Sequence, residues 1–293
     1  MLSLTAIILT KNESFNIEKC IKSFSGIMER IIIVDSFSDD NTKELAENLG
    51  AEVYEHEFLN HSDQFNWALD NLNIKSDWIF RVDADEELTT ELVNELKDKL
   101  NKINNNINGI FIKRRRYFLG KWIKHGDVYP ERVLRIFRNG KGRSEDRIMD
   151  EHIVLNDGAT ICFENDIEDK DTKDLTFWIN KHNWYSNLEA EEYLKIKEKI
   201  NDKSNKNINE NLFGKQRERK RWLKNKLYYN IPLFARPFLY FLYRYILKLG
   251  FLDGKEGLIY HFLQGFWYRF LVDSKIYEIN KENILQGVNN SYE

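Results

Sequence analysis

The chain has 293 residues, with 44 Lys and Arg against 47 Asp and Glu, a net charge of −3 and 42% hydrophobic residues. That length holds one large domain, or one domain with an appendage, and the balance of charge and apolar residues argues against disorder and against wholesale nucleic-acid binding. Cys20 and Cys162 sit alone in apolar runs, so two buried thiols are expected rather than a disulfide, and no Cys/His spacing resembles a zinc site. The N-terminus enters a strand directly, without the basic, apolar and cleavable segments of a secretory signal, which predicts a reduced, cytoplasmic protein.

Leu4 to Leu9 is a continuous apolar strand leading into Thr10-Lys11-Asn12-Glu13. Ile17, Cys20, Ile21 and Phe24 follow at i, i+3, i+4 and i+7, the spacing of a helix with one buried face. A second β-branched strand, Ile31 to Val34, runs into the polar loop Asp35-Ser36-Phe37-Ser38-Asp39-Asp40-Asn41-Thr42. The next helix, with Leu45, Ala46 and Leu49, stops at Gly50, and Val53-Tyr54 is a short strand. Phe65, Ala68, Leu69 and Leu72 mark a third helix before the buried strand Trp78 to Val82, and Leu92, Val93, Leu96 and Leu100 a fourth after it. Alternation of strands and helices in units of this length implies a mostly parallel α/β sheet with right-handed crossovers.

Such a sheet places its ligand crevice at the carboxyl ends of its strands. Thr10, Asn12 and Glu13, then Asp35, then Asp83 and Asp85 each follow a strand and should therefore share one edge. Asp83 and Asp85, one residue apart on a tight turn, can face one hard cation, and Mg²⁺ is usually held by one or two carboxylates with substrate phosphates completing its shell. The competing interpretation is that these acids, with Glu86 and Glu87, decorate the start of the helix near Thr89. No GxGxxG follows the first strand and no GxxxxGK[ST] occurs, which argues against dinucleotide and P-loop chemistry.

Ile-Leu-Thr-Lys-Asn-Glu after the first strand, Val-Asp-Ser-Phe-Ser-Asp-Asp-Asn-Thr after the second and Val-Asp-Ala-Asp-Glu after the fourth resemble the family 2 glycosyltransferases over about residues 2 to 165. The resemblance implies the GT-A fold, a nucleotide-sugar donor (UDP-linked favoured), Mg²⁺ or Mn²⁺, and inversion at the anomeric carbon. By it, Thr10, Asn12 and Glu13 line the nucleotide pocket, Asp35 accepts a hydrogen bond from the base, Asp83 touches ribose or metal, and Asp85 binds the metal. The chain departs from the pattern in the helix before the DxD strand, where Ser62-Asp63-Gln64-Phe65-Asn66 stands in place of a basic residue. Gln64 and Asn66 are left to hydrogen-bond the donor.

Lys113-Arg114-Arg115-Arg116 is expected to be solvated or to meet anionic lipid rather than a diphosphate. Tyr117 to Trp122 and Gly126 to Pro130 have the aromatic, turn-rich character of a sugar-stacking loop, and Val133 to Phe137 is a further strand. Inverting transfer needs a carboxylate to take the acceptor hydroxyl's proton. Asp150, Glu151 and His152 form the one compact acid/His group in this half besides the DxD region. In the subgroup resembling lipopolysaccharide-core glucosyltransferases, the resemblance implies an acidic base in the matching segment. Glu151 is the expected base, Asp150 its alternative, and His152 an orienting group or metal ligand.

From Asp171 the texture changes to long helices, dividing the chain into a catalytic domain over 1–165 and a helical region over 166–293. A polar linker, Asn201 to Asn211, precedes the basic run Lys215 to Lys226 and two aromatic-aliphatic helices, so that residues 215–275 suit attachment to an anionic bilayer surface. Arg236, Arg244 and Lys248 interrupt any clean span of about 20 apolar residues. No RNP-like or KH signature supports RNA binding. The expectation is a metal-dependent glycosyltransferase of bacterial envelope or capsule assembly, peripheral on the inner face of the cell membrane, with a glycan or lipid-linked acceptor. The alternatives are a nucleotidyltransferase on a similar scaffold and a non-catalytic membrane-bound scaffold.

Overall fold

In the computed structural model, residues 1–145, 151–201, 222–223 and 227–289 are described, the side chains of 195–201 and 283–289 excepted. The chain forms two compact units, residues 1–124 with 128–173, and residues 125–127 with 174–293.

The first unit is an α/β sheet. Strands β1 (Leu4–Thr10), β2 (Arg30–Asp35), β3 (Glu52–Glu55) and β4 (Trp78–Asp83) pair in parallel in the order β3-β2-β1-β4. Helices α1 (Ile17–Phe24), α2 (Thr42–Asn48) and α3 (His61–Asn71) make the crossovers, and α4 (Thr90–Lys99) follows the short strand β5 (Glu86–Leu88). The apolar runs are continuous because both faces of the sheet are covered. Leu4, Ala6 and Ile8 of β1 pack toward α1, α2 and α4 through Cys20, Phe24, Ala46 and Leu92, whereas Ile7 packs with Phe65 and Ala68 of α3. Side-chain caps fix two of the helix starts: Asn60 Oδ1 accepts from Asp63 N at 2.8 Å, and Thr89 Oγ1 from Leu92 N at 3.2 Å.

Beyond β4 the sheet is mixed. Strand β8 (Glu131–Arg138) runs antiparallel to β4 and to β6 (Ile107–Phe118), β11 (Ala159–Asp169) is parallel to β6, and β5 is antiparallel to β11. Strand β7 (Lys121–Ile123) pairs with β6, and β9 (Gly142–Ser144) pairs with β10 (Ile153–Leu155) as a separate ribbon. A register shift between Cys162 and Asp166 carries the ends of β6 and β11 on toward β5, which leaves β4 after a turn of two residues. The far end of the sheet thereby returns to the turn that follows Asp83, and Lys170 N donates to Asp85 O at 2.8 Å.

Two sequence expectations are corrected. Cys20 is buried, but Cys162 is exposed. The cluster Lys113–Arg116 is not a solvated run, because alternation along β6 gives each residue a partner. Lys113 and Arg115 meet Asp166 at 3.5 and 2.7 Å, Arg114 meets Glu131 at 2.8 Å, and Arg116 meets Asp169 at 3.3 Å.

The second unit is helical. Helix α5 (Leu175–Asn201) packs on α8 (Tyr268–Asn289) through Ala190, Tyr193, Tyr268, Val272 and Ile276. Between them lie α6 (Ala235–Leu242), continued by a π-helical turn Tyr243–Leu247, and α7 (Gly254–Tyr260), continued by π-helical His261–Trp267 into α8. Gly126, expected in a sugar-stacking loop, is instead packed within this unit. It lies at φ 73° with no room for a Cβ against the His261 ring, and its N–H donates to Lys248 O at 2.8 Å. Among the described residues no helix is long and apolar enough to cross a membrane. Asp150 and the basic run from Lys215 to Lys226, apart from Trp222 and Leu223, lie outside the described residues.

Candidate active site

The register sets three strand ends side by side. Thr10 of β1 stands opposite Asp35 of β2, and Leu9 stands opposite Asp83 of β4. Thr10, Asn12, Glu13, Asp35, Asp83 and Asp85 therefore leave the sheet along one edge.

The loops after β1 and β2 are laced together there. Asp35 is fully buried and accepts from Thr10 Oγ1 at 2.7 Å and from Ser38 N and Oγ at 2.6 Å each. Successive main-chain N–H groups of the first loop donate to side chains of the second: Asn12 to Ser38 Oγ and Glu13 to Thr42 Oγ1 at 2.8 Å, Ser14 to Asp40 Oδ2 at 3.1 Å. Asn12 adopts φ 56°, a left-handed conformation that asparagine tolerates better than most residues, and its Oδ1 accepts from Asp39 N. Glu13 is held by Lys173 Nζ at 2.7 Å and by Asn16 Nδ2 at 2.9 Å. Gln64 is buried, donating to Val34 O at 3.1 Å and Ser36 Oγ at 2.5 Å, while Asn66 brackets the main chain of Ser144 with two bonds of 3.0 Å. These side chains hold the strand-end loops and β9 in shape.

The DxD turn carries the concentrated charge. Arg135, reaching from β8, is 5% exposed and ion-paired to both Asp83 and Glu86. Glu86 is fully buried, and its Oε2 accepts from Asp83 N at 3.0 Å. It sits in β5 as a buried partner of Arg135, so for Glu86 the competing interpretation as a decoration of the helix start is corrected. Burial would raise the Asp83 carboxyl's pKa, but the Arg135 and Arg81 guanidinium groups outweigh it and hold that carboxyl well below the usual carboxylate range. For Glu86 burial wins: with the charge of Asp83 added, it pushes the carboxyl up against the pull of Arg135.

Arg81 links this turn to the candidate base. It lies on β4 itself, its Nη2 donating to Glu151 Oε1 at 2.9 Å and its Nε, which has no hydrogen-bond partner, 3.8 Å from Asp83 Oδ1. The Phe65 ring lies 5.6 Å from its guanidinium carbon, and the side chains of Arg81 and Glu151 are only 10% and 11% exposed. Glu151 is thus brought to the DxD strand from 70 residues away in the chain. His152 borders it, its main chain paired with Glu145 through bonds of 2.9 and 3.1 Å.

The donors decide how the site fits a divalent cation. Asp83 and the half-buried Asp85 supply the one or two carboxylates with which Mg²⁺ is held when phosphates and water complete its shell. Among the described residues no cluster of three or more His, Cys, Asp or Glu side chains is arranged to hold a metal. The residues fit a cation that arrives with a diphosphate.

Residues 5–163 match the glycosyl transferase family 2 pattern, more than half of the chain. The chain belongs to glycosyl transferase family 2. It is 31% identical over 204 residues to the lipopolysaccharide core biosynthesis glycosyltransferase LpsC of Rhizobium meliloti, covering 65% of this chain and 72% of that protein. It is 43% identical over 94 residues to an uncharacterised glycosyltransferase of Rickettsia bellii, and spans about a third (31%) of that relative's length. Among solved structures it is similar to glucosyl-3-phosphoglycerate synthase from Mycobacterium tuberculosis in complex with Mn²⁺, uridine diphosphate and glucosyl-3-phosphoglycerate, at 20% identity and a TM-score of 0.32 over 39% of this chain and 44% of that one.

Sequence reasoning missed Arg81, Arg135 and the role of Glu86. The signal was present: Arg81 and Arg135 interrupt the apolar runs Ile79–Val82 and Val133–Phe137, and a charge inside a buried strand requires a buried partner.

Proposed function

We propose that the protein transfers a sugar, with inversion, from a nucleotide-sugar donor, UDP-linked favoured, to a glycan or glycolipid acceptor of the bacterial envelope. The observation that carries this reading is the Arg81 bridge, which sets Glu151 beside the DxD strand on the edge where the loops after β1 and β2 converge. The likeness to LpsC supports lipopolysaccharide core assembly as the setting.

Asp85 and Asp83 would hold Mg²⁺ or Mn²⁺, which when bound supplies charge neutralisation for the departing diphosphate. The chain's own residues do the rest. The loops of Thr10, Asn12, Glu13 and Asp35, braced by Gln64 and Asn66, form the wall against which the nucleotide binds. The acceptor hydroxyl oxygen attacks the anomeric carbon from the face opposite the leaving group, forming the new C–O bond as the bond to the nucleoside diphosphate breaks. Its proton passes to Glu151. Arg81 occupies Oε1, which leaves Oε2 as the proton acceptor. Asp150 is the alternative base.

A panel of nucleotide sugars assayed for transfer and slow hydrolysis with Mn²⁺ and Mg²⁺ tests this reading. Turnover of at least one UDP-sugar is expected, abolished in Asp85→Asn. Full activity in Asp85→Asn would remove the metal assignment, and binding of nucleoside triphosphates in preference to UDP-sugars would favour nucleotidyl transfer.

A further inference from the structure

The second unit presents a surface that sugar transfer does not use. Along the helix formed by α6 and its π-helical extension, Phe238, Leu239, Tyr243, Ile246 and Leu247 are exposed, and their spacing of i, i+1, i+5, i+8 and i+9 puts them on one face. Along α7 and its extension into α8, Leu258, Ile259, Phe262 and Phe270 form a second exposed stripe. Phe241 joins the two, its ring 6.3 Å from Phe262 and 6.5 Å from Phe266. The turn between the helices adds Leu249, Phe251 and Leu252, and Leu247 beside it is 73% exposed. An apolar surface this continuous marks an interaction site.

What covers it follows from the backbone and the charge. Much of the turn's backbone is paired internally: Lys248 N donates to Tyr243 O at 2.9 Å, Leu249 N to Ile246 O at 3.1 Å and Leu252 N to Leu249 O at 3.0 Å, and Lys248 O accepts from Gly126 N. These internal bonds lower the cost of moving the turn out of water. Its acid, Asp253, is 4% exposed and turned inward to His125 Nδ1 at 2.7 Å, whereas Lys248 and Lys255 are exposed. A second copy docked face to face would set these lysines against each other. An anionic bilayer surface complements them, and the basic run Lys215–Lys226 precedes the hairpin in sequence.

We infer that the hairpin of α6 and α7 is a bilayer-insertion surface. Leu247, Phe251 and Leu252 lead the two stripes into the boundary between headgroups and acyl chains of an anionic leaflet, while Lys248 and Lys255 meet the headgroup phosphates. With no membrane-crossing helix among the described residues, the hairpin lies in the interface. The inference rests on the second unit alone and stands apart from the transfer reading.

The test is sedimentation of the full chain with phosphatidylglycerol-containing vesicles, against phosphatidylcholine vesicles, at low and high salt. The unmodified protein should pellet with the anionic vesicles, less so as salt rises. Leu247→Glu/Leu252→Glu should weaken binding more than tenfold while melting like the parent, since both side chains are exposed. Lys248→Gln/Lys255→Gln should weaken it by roughly fivefold per lysine and flatten the salt dependence. Absence of binding to anionic vesicles, or equal binding by all three proteins, would overturn the inference. So would a parent dimer in sedimentation velocity that the leucine variant converts to monomer, which would give the surface to a second copy.

Discussion

The two units handle buried charge in opposite ways. In the helical unit the deepest ion pair is closed: Arg236 and Asp273 are each 1% exposed and joined by an Nε–Oδ1 bond of 2.8 Å, and nearby the buried Glu189 takes both Arg269 and the Tyr268 hydroxyl. What remains on its hairpin surface is apolar, with lysines beside it. In the sheet unit, charges gather at one strand end and stay partly open: Asp83, although ion-paired to Arg135 and Arg81, keeps 37% of its side chain exposed. A closed pair serves the fold alone. An open one beside Glu151, the proposed base, leaves room for the proposed chemistry.

Breaking one partner in each unit draws the contrast most strongly. Arg135→Met strands Asp83 and Glu86, and Arg236→Met strands Asp273; each should cost about 3–5 kcal/mol in urea unfolding. Replacing both partners separates them. Arg236→Met/Asp273→Leu should regain most of the lost stability. Arg135→Met/Glu86→Leu should not restore transfer, because Asp83 has lost the Arg135 guanidinium and keeps only Arg81, 3.8 Å away. Recovered transfer in that double variant would reduce the DxD cluster to a structural pair.

Acid should act on the two units in different pH windows. His261 is fully buried, neither ring nitrogen has a hydrogen-bond partner, and burial with the nearby Arg244 charge pushes its pKa down to about 4. Because the folded-state value is depressed, its contribution is present above the unfolded value of about 6.5 and is lost as pH falls from there to about 4, an effect of about 3 kcal/mol. Asp83, also depressed, contributes above the ordinary Asp value of about 3.9 and loses that only as pH falls below it. Glu86, raised, has the opposite sign: its contribution is present below the ordinary Glu value and lost as pH rises through its folded pKa. Hydrogen exchange between pH 7 and pH 3 should show the helical unit weakening first. Simultaneous weakening of both units would contradict this.

Arg81→Met should lower kcat by about 10- to 100-fold through loss of positioning at Glu151, with UDP binding retained, whereas Arg81→Lys should recover part of it. Equal loss in both variants, accompanied by a matching loss of UDP binding and of stability, would make Arg81 merely structural. The smallest effect is expected at the hairpin tip, where Leu247→Glu should change stability by less than about 0.5 kcal/mol.

The sheet's first half was legible because each local signal agreed with the next: continuous apolar strands, one-faced helices and polar strand ends in register. The charge network was not. Arg135 meets Glu86 and Asp83 across separations of 49 and 52 residues, and Arg81 meets Glu151 across 70, contacts that no local pattern encodes. Lys113–Arg116 looked solvated because four cations in a row read as surface, yet strand alternation sends 113 and 115 to one acid and 114 and 116 to others. Of the expected site residues, the loop-holding contacts of Asp35, Gln64 and Asn66 were equally out of reach, since their partners lie on neighbouring loops and on β9.

The most direct measurement is transfer by Glu151→Gln, with Mn²⁺-dependent UDP binding followed by calorimetry on the same protein. The amide cannot accept the acceptor's proton, so kcat should fall by about 10²–10⁴-fold while UDP binds as tightly as to the parent. Parent-like turnover by Glu151→Gln would contradict the account and move the base away from the carboxylate that Arg81 holds.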